Sequence, residues 1–257
     1  MIQATIWSGR QHCEDAVARG LKFLAAPADG RIDRLWLVHS LEQQQRLDGR
    51  VNNVRWTKTV GPVVPQYAPE DAKKLACLRG FDALLTALYA TAGDDDVLLV
   101  EDDIEVAPDT LLRMKRTMAA TGASAVSALT RSSVGLWPVF RYQSGERVGL
   151  PPGEPLRRRP GGYMHRLTDA ELLPEPRDVD AVGTFCLLLA GALVDSMARE
   201  NYRPEIVAPE YTMVGHDAHF CCWLRERGHR LILDSAIRVN HHCEIAPGQV
   251  LVRREMR

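Results

Sequence analysis

Apolar and polar positions alternate between two periods along the first hundred residues. Ala4 to Trp7 is a short apolar run with strand character, followed by a helical stretch from about His12 to Leu24. Arg34-Leu-Trp-Leu-Val-His39 is a second buried run, and Val54 to Val60 alternates like a third strand that Gly61-Pro62 ends. Pro69 suits a first helical position, where its missing N–H leaves no bond unmade. Leu75, Leu78, Phe81, Leu85 and Leu88 then recur at threes and fours, as one buried helix face requires. After Gly93, Val97-Leu-Leu-Val100 is continuously apolar, the pattern of a strand covered on both faces. This rhythm predicts an α/β fold of Rossmann-like, doubly wound type, with a mixed, mostly parallel sheet flanked by helices. The ligand crevice of such a sheet lies beyond the carboxyl ends of its strands.

From Arg141 to Asp180 the texture changes. Six of the 15 prolines and five of the 19 glycines fall there, and residues 141 to 166 carry six arginines against two glutamates. The pattern predicts a long loop or lid. Order returns in Val182 to Ala190, read as one strand, then in a helix near Val194 to Glu200. Another helix runs from about His216 to Arg227 with Gly228 closing it, and the strand Arg230 to Leu233 follows. The basic end, Val252 to Arg257, reads as loose.

Composition narrows the class. The chain has 257 residues, 46% hydrophobic and 25% charged, with a formal net charge of −1. That is an ordinary globular balance, and it speaks against a strongly basic nucleic-acid coat. Apolar runs such as Phe185 to Val194 fall far short of the roughly 20 residues that span a bilayer. Met1 to Arg10 lacks the basic-then-apolar pattern of a signal peptide. Six cysteines without a CxxC pair look like reduced thiols, so the cytoplasm is the expected compartment.

The chemistry gathers in two segments. In Val97-Leu-Leu-Val-Glu-Asp-Asp-Ile-Glu-Val106, a buried strand delivers Glu101, Asp102 and Asp103 to its carboxyl end. Crowded carboxylates repel, and a divalent cation is the usual relief; hard oxygen ligands suit Mg²⁺ or Mn²⁺. The plainer reading is a solvated acidic turn, with Asp109 or Thr110 capping the next helix. Asp94-Asp-Asp96 precedes the strand and reads as a solvated loop at the other end of the sheet. In the second segment, Asp217 stands at a helix start, where free amides and the dipole favour a carboxylate, whether as a cap or as a functional group. His241 and His242 follow a strand near the end.

Taken together, the order of these elements resembles the GT-A class of nucleotide-sugar glycosyltransferases, nearest to family 2-like and related enzymes. Glu101-Asp102-Asp103 matches its D-x-D-type triplet after a strand. Gly215-His216-Asp217 matches its Gly-Glu-Asp-like helix start, and Gly228-His229-Arg230 and His241 occupy the later places. Val182 to Ala190 looks like the acceptor-side strand. The resemblance spans Thr5 to His242 and implies a single domain. Residues 1–103 would form the nucleotide-sugar-binding half, and 104–257 the acceptor half with its loop at about 141–180.

The resemblance also implies roles. Asp103 and His241, with His242 as the fallback, would hold Mn²⁺ or Mg²⁺ on the diphosphate of a UDP- or GDP-sugar. Glu101 would sit near the ribose or uracil, and Asp102 would share the metal. Ser8, Gly9 and Arg10 would cradle the nucleotide, and Lys74 and Arg79 would face the base or diphosphate; a solvated helix face is the plain alternative for the last two. Asp217 would be the general base in an inverting enzyme, or a substrate-orienting group in a retaining one. The acceptor is some hydroxyl compound: a glycan, a protein side chain or a modified DNA base. Two positions depart from the pattern, Glu101 for the first aspartate of the triplet and His216 for the glutamate of the Glu-Asp pair.

Three other readings stay open. His216, His219, Cys221, Cys222, His241, His242 and Cys243 are zinc-binding residue types within 28 positions, although they lack the paired spacing of structural zinc sites. A non-catalytic sugar-nucleotide-binding domain would keep the same fold. A nucleotidyltransferase would also share it, but Ser8-Gly-Arg-Gln11 is thin for its phosphate loop.

Overall fold

A computed structural model describes residues 2–7, 32–38, 45, 54–58, 70–90, 94–101, 103–132, 135–144, 158–159, 162–204, 216–246 and 249–253. The strands are β1 (Ile2–Trp7), β2 (Ile32–Val38), β3 (Val54–Lys58), β4 (Asp96–Glu101), β5 (Ile104–Glu105), β6 (Ala125–Leu129), β7 (Val139–Ser144) and β8 (Arg158–Arg159). They continue as β9 (Gly162–Arg166), β10 (Arg177–Asp178), β11 (Ala181–Val182), β12 (Cys186–Leu189), β13 (Leu231–Arg238), β14 (Asn240–Ala246) and β15 (Gln249–Arg253). The described helices are α1 (Glu70–Tyr89), α2 (Thr110–Thr121), α3 (Gly191–Arg199) and α4 (His216–Glu226).

The central sheet has the order β10-β13-β6-β12-β4-β1-β2-β3. The pairings of β1 with β2 and β4, of β2 with β3, and of β6 with β13 are parallel, and the short edge strand β10 pairs antiparallel with β13. The antiparallel exception in the middle is β12, which pairs with both β4 and β6. The fold class is therefore the expected mixed, mostly parallel α/β sheet flanked by helices. The apolar run of β4 explains its central place. Val97 and Leu99 enter the core shared with α1, α3 and α4, whereas Leu98 and Val100 enter the core under α2. Alternate residues point to opposite faces, so a strand buried twice must be apolar at every position.

Helix α1 buries Phe81, Leu85 and Leu88 of the predicted face, and Leu84 beside them, while Leu78 is partly buried and the Leu75 side chain lies outside the described residues. Asp96 opens β4 and accepts a hydrogen bond from the Gly191 N–H at the start of α3, at 2.9 Å. The chain is so close there that a Cβ on Gly191 would stand 1.8 Å from the Asp94 carbonyl oxygen. Asp96 therefore has a structural task that a solvated loop would not give it. Helix α4 ends as expected, with Gly228 at φ +73°, a left-handed conformation that side chains resist. Asp109 stands at the N-cap of α2, but its side chain makes no capping bond.

Two smaller sheets correct the sequence reading. The expected loop at about 141–180 contributes strands to a four-stranded antiparallel sheet, β11-β7-β9-β8. A short 3-10 turn at Asp169–Glu171 follows, closed by a reciprocal capping box between Thr168 and Glu171. The expected loose end carries β15, which pairs with β14 in the sheet β15-β14-β5. Val182 to Ala190 is not one strand. β11 belongs to the small sheet and β12 to the central one, and Gly183-Thr184-Phe185 steps between them. The helix expected at His12 to Leu24, together with Gly61-Pro62, Pro69, Gly93 and Arg254 to Arg257, lies outside the described residues.

Candidate functional site

β4 ends at Glu101, and Asp103 lies in the turn that follows. The next two residues form β5, which pairs antiparallel with β14 so that Ile104 faces His241 and Glu105 faces Asn240. The His242 N–H donates to the Asp103 carbonyl at 2.8 Å. This backbone ladder brings residues 138 apart in sequence into contact. His241 Nε2 lies 2.9 Å from Asp103 Oδ2, and both residues are buried, at 2% and 0% exposure. Neighbouring residues on a strand face opposite ways; His242 accordingly meets Glu105, with Nε2 2.8 Å from Oε2. The structure thus brings His241, and not the fallback His242, to Asp103.

The His241 ring is fixed from its other side as well. Nδ1 lies 2.7 Å from the Arg131 carbonyl oxygen, an atom that can only accept, so Nδ1 carries a proton. Nε2 is then the nitrogen turned toward Asp103. A histidine that donates one ring N–H to a backbone carbonyl and presents the other nitrogen beside a carboxylate has the arrangement common among metal ligands. Phe185 closes the site from the side, with ring centroids 5.2 Å apart.

Glu101 has a different setting. The Thr184 hydroxyl donates to Glu101 Oε1 at 2.8 Å, and His216 Nε2 lies 3.2 Å from the same hydroxyl. Thr184 is buried. His216 is the first residue of α4, and its ring packs on Phe81 at 4.9 Å between centroids. Asp217 follows, partly exposed, its Oδ1 accepting from the Ala218 N–H at 2.7 Å.

Asp217 lines a pocket of about 130 Å³ with Trp137, Phe140, Arg166 and Val182 among its walls. The Trp137 indole N–H donates to Asp169, and the Arg131 guanidinium lies 4.1 Å over the indole ring. Arg131 therefore offers its carbonyl to His241 and stacks its side chain on Trp137, one of the pocket's walls.

Arg79 is exposed on α1, and Lys74 lies on the same helix with its side chain outside the described residues. Ser8, Gly9, Arg10 and Asp102 also lie outside them. The histidines and cysteines that suggested zinc are dispersed. His219 meets the Tyr202 hydroxyl at 3.1 Å, Cys221 meets the Val182 backbone, and Cys243 sits behind His241. Among the described residues no three His, Cys, Asp or Glu side chains are grouped to hold a metal. Sequence reasoning missed Thr184, Arg131 and Trp137. Thr184 and Trp137 gave no periodic signal, and the part of Arg131 that touches His241 is main chain.

The sequence matches no protein-family model and no curated protein. Among solved structures the fold is similar to S. aureus TarS, with TM-score 0.51 and 10% identity over 96% of this chain and 37% of that one. TarS residues 1–349 in complex with UDP give TM-score 0.50 and 10% identity over 93% of this chain and 59% of that one. The chain thus spans less than two thirds of the TarS chains it resembles. At this identity the likeness shows the fold.

Proposed function

We propose that this chain is a metal-dependent glycosyltransferase of GT-A type, taking a UDP- or GDP-sugar as donor and a hydroxyl compound as acceptor. The observation that carries the reading is the buried Asp103–His241 pair. It stands just past the carboxyl end of β4, where an α/β sheet of this kind receives its ligand. The UDP complex of TarS, on the same fold, supports a nucleotide donor.

The donor set suits the cation. Mg²⁺ and Mn²⁺ sites commonly use one or two protein side chains and leave the remaining positions to water and substrate phosphate. Asp103 and His241 are the two ligands in this proposal, and Asp102 adjoins them in sequence. With Asp103 and His241 holding it, a cation there would supply positive charge against the leaving diphosphate. Ser8, Gly9 and Arg10, which follow β1, and Lys74 and Arg79 on α1 belong to the nucleotide side, within residues 1–103. Residues 104–257 belong to the acceptor side of the same domain, which works in the cytoplasm.

Asp217 takes the proton of the acceptor hydroxyl as that oxygen bonds to the anomeric carbon and the bond from that carbon to the diphosphate breaks. The pocket beside it receives the acceptor. Its walls join apolar surface, Trp137, Phe140 and Val182, to the charged groups of Asp217 and Arg166. Such walls match a ring with apolar C–H faces and a hydroxylated edge.

The test is calorimetric titration of UDP and GDP, with and without Mn²⁺, into wild type and Asp103→Ala. Metal-dependent binding of one nucleotide, lost in the variant, is the expected result. Failure of both nucleotides to bind wild type refutes the proposal.

A further inference from the structure

The two positions at which the sequence departs from the glycosyltransferase pattern, Glu101 and His216, are joined in space through Thr184. The chain of bonds has one direction. An ionised carboxylate only accepts, so the single hydroxyl proton of Thr184 goes to Glu101 Oε1, and the hydroxyl oxygen is left to accept from His216. His216 must therefore carry its proton on Nε2. The main chain that carries Thr184 is held on both sides, in the step between β11 and β12. The Gly183 N–H donates to the Pro138 carbonyl, and the Glu101 N–H to the Phe185 carbonyl, each at 2.9 Å. The ring of His216 is held in turn against Phe81, and the residue after it is Asp217.

We infer that Glu101 is a positioning residue for Asp217, acting through Thr184 and His216, and is not a contact to the nucleotide. The inference rests on the proposed role of Asp217 in glycosyl transfer. It assigns the carboxylate at the end of β4 to the acceptor side of the site. Glutamate suits this task because it reaches the Thr184 hydroxyl in the step that leads into the neighbouring strand, and histidine suits its place because it can donate from a ring nitrogen to that hydroxyl. The chain fixes the first turn of α4 against the central sheet, and with it the direction of the Asp217 carboxylate.

The experiment uses the full chain labelled with ¹⁵N, in wild type, Thr184→Val, Glu101→Ala and Glu101→Gln. Long-range ¹H–¹⁵N spectra report which ring nitrogen of His216 is protonated. The Ala218 amide, which donates to Asp217 Oδ1, reports the geometry of that carboxylate. UDP affinity in the presence of Mn²⁺ is measured alongside. The expected result is a His216 Nε2–H form in wild type that is lost, with a displaced Ala218 amide, in Thr184→Val and Glu101→Ala. Glu101→Gln, whose amide oxygen still accepts from Thr184, restores both signals, and UDP affinity stays within about threefold throughout. An unchanged Ala218 amide in Thr184→Val overturns the inference. So does a loss of UDP affinity of tenfold or more in Glu101→Ala that Thr184→Val does not share. Failure of wild type to bind any nucleotide sinks the glycosyltransferase reading instead, and the two histidine and amide signals still decide whether the chain of bonds exists.

Discussion

Replacing Asp103 by asparagine and by alanine separates what this residue does for the fold from what it does for a cation. His241 Nδ1 is committed to the Arg131 carbonyl, so the contact between Nε2 and Asp103 Oδ2 needs one further proton between the two atoms. An asparagine amide supplies that proton itself, donating from its NH₂ to a neutral Nε2 in the same space. Asp103→Asn is therefore expected to cost less than about 1 kcal/mol. Alanine leaves Nε2 without this partner in a site where His241 is 2% exposed. The desolvation penalty alone is about 1–3 kcal/mol, and the lost side-chain volume adds to it. With a urea dependence of about 3 kcal/mol/M for a chain of this size, a 2 kcal/mol difference moves the midpoint by roughly 0.7 M. Metal binding should rank the variants differently. Both lose the anionic ligand, so Mn²⁺ affinity at saturating UDP, read from the free-ion electron paramagnetic resonance signal, should fall more than about 100-fold in each; even outer partners of metal ligands cost 10–100-fold. Mn²⁺ affinity within threefold of wild type in Asp103→Asn would falsify the ligand role. Equal destabilisation by asparagine and alanine would refute the proton argument.

Asp217→Asn should leave nucleotide affinity intact and lower turnover by about 10²–10⁴, the usual contribution of a general base; near-normal turnover contradicts that role. Gly191→Ala puts a Cβ 1.8 Å from a backbone oxygen that has no rotamer to escape into; a loss of about 3 kcal/mol in urea unfolding is expected. Gly183→Ala meets at 2.3 Å the Phe185 ring, which packs beside His241 and must shift to make room. Mn²⁺ affinity should drop about tenfold, as for other perturbed partners of metal ligands, while the far-ultraviolet circular dichroism stays unchanged. Glu171 is held at about 2, below its ordinary 4.5, first by the Thr168 main-chain N–H, then by the Thr168 hydroxyl and by His165. A lowered carboxylate stabilises the fold fully above pH 4.5 and loses that contribution as pH falls toward 2. The melting-temperature gap between wild type and Glu171→Gln should be present at pH 7 and close over that window. It corresponds to less than about 1 kcal/mol, because the group is largely solvated.

The sequence made the central sheet legible where burial alone chooses the residues. Val97 to Val100 had to be apolar at every position, and α1 had to show its stripe. The smaller sheets were illegible for the opposite reason. β8 and β9 are Arg-Arg and Gly-Tyr-Met-His-Arg, and β14 opens on Asn-His-His, so their ladders are made by main-chain atoms that carry no side-chain pattern. Val182 to Ala190 misled because both strands within it are apolar, and only Gly183 marks the step from one sheet to another. Asp103 and His241 were legible as residue types in an ordered pattern, and it is the register of β5 on β14 that makes them a pair. The bond from Glu101 through Thr184 to His216 crosses three elements, and a single threonine announces nothing.

β14 carries its two histidines on opposite faces, and its grip on β5 is short: Asn240 with Glu105 and His241 with Ile104. On its other edge β15 holds it over five pairings, from His241 with Arg253 to Ala246 with Gln249. A slip of one residue between β5 and β14 would present His242 to Asp103 and turn His241 away. β15 thus braces the strand that carries both histidines, pairing directly with His241 and His242. An engineered protein cut back to residue 248 would keep every proposed ligand and lose the longer of the two ladders that hold β14, the strand on which the choice of histidine depends.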